Sequence, residues 1–118
     1  MRSKRGLFDS IEIGNVEKIL RGLVRINSVN PSVPGGAGEK EIAVHIADKL
    51  RELGLSVTMQ DVVDGRQNVV GRIKGSGRGP SLMLNGHLDT VGVEGMTADP
   101  FDPRVDAEGT STDGERAI

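Results

Sequence analysis

The chain has no cysteine, no tryptophan and no tyrosine, and Phe8 and Phe101 are its only aromatic residues. Without cysteine there can be no disulfide and no thiolate metal site, and the composition suits a reducing, cytoplasmic setting. With so few aromatics, any core must rest on Val, Ile, Leu and Met. Long apolar runs are also missing. No stretch approaches the ~20 residues of a membrane-spanning helix. The N-terminal MRSKRGLFDSIEIG is basic but lacks the apolar segment of a signal peptide. Nor is there an excess of one charge: 15 Lys and Arg stand against 17 Asp and Glu, for a net charge of −2. Binding to nucleic acid or to an anionic membrane surface is therefore not expected.

What is present suits one globular domain. The chain has 118 residues, 36% of them hydrophobic, enough for a packed core and short for an enzyme with an elaborate site. Asn15 is a candidate N-cap, and Val16, Ile19, Leu20, Leu23 and Val24 follow at the spacing of one helical face. The stretch NSVNPSVPGGAG then breaks the pattern with Asn, Pro and Gly. A second helix is predicted from about Glu39 to Leu53, with Ile42, Ala43, Ile46, Ala47, Leu50 and Leu53 on one side. Glu39 and Glu41 lie at its start, Lys49 and Arg51 near its end, and Gly54 follows as a C-terminal stop.

Period-two patterning takes over next. Leu55, Val57 and Met59 alternate with Ser56, Thr58 and Gln60, as in a half-exposed strand. QNVVGRIKG is a second strand candidate, weakened by Gly71, and GSGRGP (75–80) is a turn. SLMLNG supplies a third strand, whose unbroken apolar run predicts burial on both faces and a central place in the sheet. Two helices followed by strands with a buried central member predict an α/β fold, with the two N-terminal helices packed on a mixed sheet.

The chemistry concentrates in SLMLNGHLDTVG, residues 81–92, where an apolar run ends in His87 and Asp89. Ligands of open α/β sheets gather at the carboxyl ends of strands, and residues two apart on an extended chain point to the same side. An imidazole can bind zinc through one nitrogen while a carboxylate holds its other N–H. By spacing alone the pair reads more readily as polar strand-end residues that satisfy loop backbone. Other candidates have simpler readings. PGGAGEK lacks the Lys-Ser/Thr ending of a phosphate loop and follows a helix. GSGRG reads as a strand-joining turn. His45 lies within the second helix, without acidic or histidine partners at metal spacing, and reads as a partly exposed structural residue. Asp99, Asp102 and Asp106 suit turn formation in an Asp-Pro-rich loop.

LMLNGHLDTV resembles the first metal-site signature of the co-catalytic zinc metallopeptidases that include acetylornithine deacetylase, succinyl-diaminopimelate desuccinylase, aminoacylase and glutamate carboxypeptidase. LVRINSVNPSVPGGAGEKEIAVHIADKLRELGLSV is similar to that family's first two helices and joining loop, and VGVEGMTADPFDPRVDAEG to the segment after its metal strand. The resemblance spans roughly residues 15 to 109. It implies that His87 binds one of two zinc ions (cobalt being a possible substitute) and that Asp89 is the catalytic-site carboxylate supporting that imidazole. It also implies hydrolysis of an amide bond in an N-acyl amino acid or small peptide, in an enzyme that is often a homodimer.

The resemblance also defines what this chain lacks. The family's Gly-Arg-Gly-x-x-Asp-Met-Lys segment, its Glu-Glu pair and its later ligands do not occur here. Residues 1–109 are thus expected to be the N-terminal part of an incomplete catalytic domain. Residues 110–118, TSTDGERAI, depart from the family at this point. Back-translated with permitted codons and read two bases on, they give Val-Tyr-Gly-Arg-Gly-Ala-Gly-Asp, the expected motif. The tail is accordingly expected to be out of frame. The competing reading is a non-catalytic binding module or a pseudogene product.

Overall fold

The structure, a computed structural model, describes residues 7–105; the tail from Asp106 lies outside the described residues. A short 3-10 turn at Leu7–Ser10 precedes helix α1, Ile13–Val24, then α2, Lys40–Glu52, and strands β1, Ser56–Val63, and β2, Arg66–Arg72. Helices and strands thus occur together, as predicted.

α2 lies within one residue of its predicted bounds, because its punctuation is strong. Glu39 is the N-cap, and Gly54 follows the C-cap Leu53 with φ +84. The Gly54 N–H donates to Arg51 O at 2.9 Å and the Leu55 N–H to Leu50 O at 3.0 Å, which satisfies the last carbonyls of the helix. α1 begins earlier than predicted. Glu12 is its N-cap, and Asn15 lies inside the first turn, where its side-chain amide donates to Glu12 Oε2 at 3.0 Å.

β1 and β2 form one antiparallel hairpin, with Ser56 opposite Arg72 and an irregularity between Asp61 and Val63. It turns at Asp64-Gly65, a dipeptide suited to tight hairpin turns, with Gly65 at φ +71. Val57 and Met59 are half-buried while their neighbours are exposed, which is the predicted alternation. α2 packs on both strands. Gly71, a weakness in the sequence pattern, has a structural use there. A Cβ at this position would stand 2.9 Å from Leu50 Cδ1 and 3.0 Å from Leu55 Cδ2, so its bareness lets the end of α2 approach β2.

The third strand differs from expectation. Leu82, Met83 and Leu84 are 84%, 87% and 87% exposed, and the segment forms no ladder. Among the described residues the sheet has two strands, both antiparallel. The apolar run therefore lacks the flanking strands and covering helices that would bury it. The parallel component of the predicted mixed sheet is reduced to one bridge, between Val29 and Thr90.

The core is small. Among the described residues Ile26, Val29, Ile42, Ala43 and Ala47 are the buried hydrophobic ones, joined by Ser28 and Glu39. α1 contributes no buried residue; Val16 and Ile19 stand half exposed. A groove on α1, lined by Ile13, Leu20 and Val24, also includes Pro103 and Val105. His45 is partly exposed, as predicted, with its Nε2 3.4 Å from the site a Gly22 Cβ would occupy.

Candidate functional site

The predicted pair comes together. His87 Nδ1 lies 3.2 Å from Asp89 Oδ1 and 2.7 Å from the Asp89 backbone oxygen. The ring stands 80% exposed, whereas the Asp89 side chain is 31% exposed. Both residues line a cleft of about 510 Å³, together with Glu39, Arg66, Asn68 and Asn85.

Two loops build this end of the molecule. The chain leaving α1 runs beside Asp89-Thr90: the Asn30 N–H donates to Thr90 O and the Thr90 N–H to Ser28 O, each at 3.0 Å. Asn30 Nδ2 donates to Asp89 Oδ2 at 2.8 Å, and Asn30 Oδ1 accepts the Ser32 N–H at 2.9 Å. Asp89 thereby has one carboxylate oxygen on an amide and the other toward the imidazole. Its carboxyl is held below the usual range, first by the Asn30 amide and then, against partial desolvation, by its own N–H and by His87.

Opposite this pair stands an ion pair that sequence patterning did not reveal. Glu39 is 5% exposed and accepts from Arg66, whose Nε lies 3.0 Å from Oε2 and whose Nη2 bonds Oε1. The fork neutralises a carboxylate that burial would otherwise penalise. Arg66 is held above its usual range, first by that hydrogen bond and, after some desolvation, by the charges of Glu39 and Asp89. The legible half of this pair was Glu39, read as a helix-start residue; nothing local in the sequence links it to Arg66, 27 positions on.

The donor set suits part of a metal site. With Nδ1 turned toward two oxygens, His87 presents Nε2, the nitrogen a metal would take. One imidazole and its supporting carboxylate do not complete a centre. No group of three or more His, Cys, Asp or Glu side chains placed to hold a metal occurs among the described residues. Asp99 and Asp102 behave as turn residues: Asp99 Oδ1 accepts the Phe101 N–H at 2.9 Å, and Asp102 Oδ2 accepts from Arg104 Nε at 3.0 Å. Asp106 lies outside the described residues.

Comparison with known proteins finds relatives by sequence. The chain is 35% identical to the N-formyl-4-amino-5-aminomethyl-2-methylpyrimidine deformylase of Bacillus subtilis, over 74% of this chain and 22% of that protein. It is 36% identical to an uncharacterized metallohydrolase of Methanocaldococcus jannaschii, over 75% of this chain and 24% of that protein. It is 32% identical to the acetylornithine deacetylase of Vibrio cholerae, over 63% of this chain and 19% of the enzyme. The matched region thus spans about a fifth to a quarter of the length of these relatives. No family model and no solved structure matches the chain. These relatives carry the names of a deformylase, a metallohydrolase and a deacetylase, and the likeness supports a metallohydrolase-like family without choosing among its members.

Proposed function

We propose that the chain carries the first metal-ligand region of a zinc-dependent amidohydrolase acting on N-acyl amino acids or small peptides. The observation that carries this reading is the His87–Asp89 pair, whose hydrogen bonding engages Nδ1 and leaves Nε2 available beside a cleft of mixed polar and apolar lining. In this reading His87 gives one nitrogen donor, and Asp89 orients the ring and adds negative charge beside it. A bound divalent metal supplies Lewis acidity and an activated water. The imidazole donor suits zinc among other divalent metals, with cobalt as a substitute.

The chain alone should not turn over substrate, because one imidazole cannot hold two metals and the carboxylates of its cleft are already engaged, Asp89 by Asn30 and His87, and Glu39 by Arg66. General acid–base assistance by itself contributes about 10² to 10⁴ in rate. With zinc or cobalt added, hydrolysis of acetylornithine, succinyl-diaminopimelate and a panel of N-acyl amino acids is expected at background for the 118-residue chain. In this reading the tail is out of frame, and a version with the frame corrected after Gly109 and extended through the remaining ligands is expected to hydrolyse at least one of them. Zinc-dependent turnover by the short chain would overturn this reading. So would downstream DNA that encodes neither a glycine-rich segment with an aspartate nor a Glu-Glu pair.

A further inference from the structure

His87 projects into solvent, so its orientation has to come from hydrogen bonds rather than from packing. Its Nδ1 faces the Asp89 carbonyl at 2.7 Å and the Asp89 carboxylate at 3.2 Å. A carbonyl oxygen only accepts, so Nδ1 carries the proton of the neutral ring and Nε2 keeps the lone pair. That arrangement is no firmer than Asp89 itself. Asp89 is fixed from a segment 59 residues earlier. Asn30 holds its carboxylate at 2.8 Å, and the Ser28–Asn30 backbone grips Thr90 on both sides at 3.0 Å. Asn30 is itself braced through Oδ1 by the Ser32 N–H.

We propose that Asn30 is a positioning residue for His87: by clamping Asp89 it sets the ring tautomer and leaves the Nε2 lone pair free beside the cleft. The amide suits this task. It gives a donor to Asp89 and an acceptor to its own loop at once, which neither a carboxylate nor an aliphatic side chain does. The inference rests on the reading of His87 as a metal ligand, because a ligand nitrogen needs the free lone pair. Its test concerns the ring alone and uses no metal.

The measurement is the ¹⁵N spectrum of the imidazoles of the whole chain at about pH 8.5, two units above the ordinary imidazole value. The sequence has two histidines, so His45 is an internal control. In the parent protein His87 is expected as the Nδ1–H tautomer. Asn30→Ala and Asn30→Asp are each expected to lower its Nδ1–H to Nε2–H ratio, about three- to tenfold, the scale of one ordinary hydrogen bond. His45 should not change. Asn30→Asp conserves size and the acceptor for Ser32 while removing the donor, so it keeps the turn and decides the matter if the alanine variant unfolds. An unchanged His87 ratio in a folded Asn30→Asp protein overturns the proposal, as does an Nε2–H tautomer in the parent. Zinc is then titrated separately. If zinc leaves His87 unperturbed while the tautomer responds to Asn30, the metal reading fails and the positioning role stands. If zinc perturbs His87 while the tautomer ignores Asn30, the metal reading stands and the positioning role fails.

Discussion

Two neighbouring glycines in the loop after α1 do different jobs, and their replacement should separate them. Gly35 has φ +76 and open space where a methyl group would stand, so alanine there meets only backbone strain, about 1 kcal/mol. A Cβ on Gly36 would stand 2.0 Å from Asn30 O and 2.9 Å from Val33 O. These are backbone atoms tied by the Val33 and Gly36 N–H bonds, and they have little room to give. Gly36→Ala is therefore expected to cost at least about 2 kcal/mol, and Gly35→Ala roughly half that. Urea midpoints at equal slope measure both, and equal costs would contradict the steric argument. A second ranking concerns charge. Arg66→Met leaves Glu39 buried without its partner, whereas Glu39→Gln removes the charge and keeps a polar side chain. The arginine variant should melt lower, and the reverse order would mean that an unpaired Glu39 charge carries no penalty at this site. At this scale His87 and Asp89 were legible because they are close along the chain. Asn30 read only as part of a loop, since its role depends on a contact 59 residues away.

At the scale of elements, helix α2 and the two strands of the hairpin were legible, while their pairing and the third strand were not. α2 announces itself through apolar residues at helical spacing and a glycine stop, signals that are complete within the element. β1 shows its half-buried face through alternation. Burial of Leu82–Leu84, by contrast, depends on what lies on either side, and an apolar run alone does not supply neighbours. The join between α2 and the hairpin gives a sharper test. Leu50 Cδ1 and Leu55 Cδ2 fill the space where Gly71 has no side chain. Leu50→Ala is expected to cost roughly 1–2.5 kcal/mol, less than for a fully buried leucine because Leu50 is half-buried. Gly71→Ala should be mildly unfavourable in the parent, because its methyl meets the leucine ends. In the Leu50→Ala background the same methyl enters vacated space. The double variant is thus expected to be more stable than the sum of the single changes by about 0.5–1 kcal/mol. Strict additivity in denaturant unfolding would show that the contact does not join the helix to the strand.

For the whole molecule the decisive feature is the balance between a small core and a large apolar surface. Its radius of gyration is 17.0 Å, against about 13 Å for a compact domain of similar length. Among the described residues, the few buried hydrophobic ones face a longer roster of exposed ones, including Val62, Val63, Ile73 and the Leu82–Leu84 run. The hairpin also presents open edges beside that surface, and open edges with apolar side chains favour association between chains. Without cysteine no disulfide can compensate for the thin core. The isolated chain should therefore be marginally stable and self-associate as its concentration rises. Light scattering and sedimentation across a concentration series measure this directly. Met83→Glu and Leu84→Lys replace side chains that already face solvent, so they should leave the melting transition nearly unchanged while reducing association. If these changes instead lowered the melting temperature by several degrees, the run would be packed in solution and the third strand formed. A compact monomer with a sharp cooperative melt at high concentration would refute the expectation altogether.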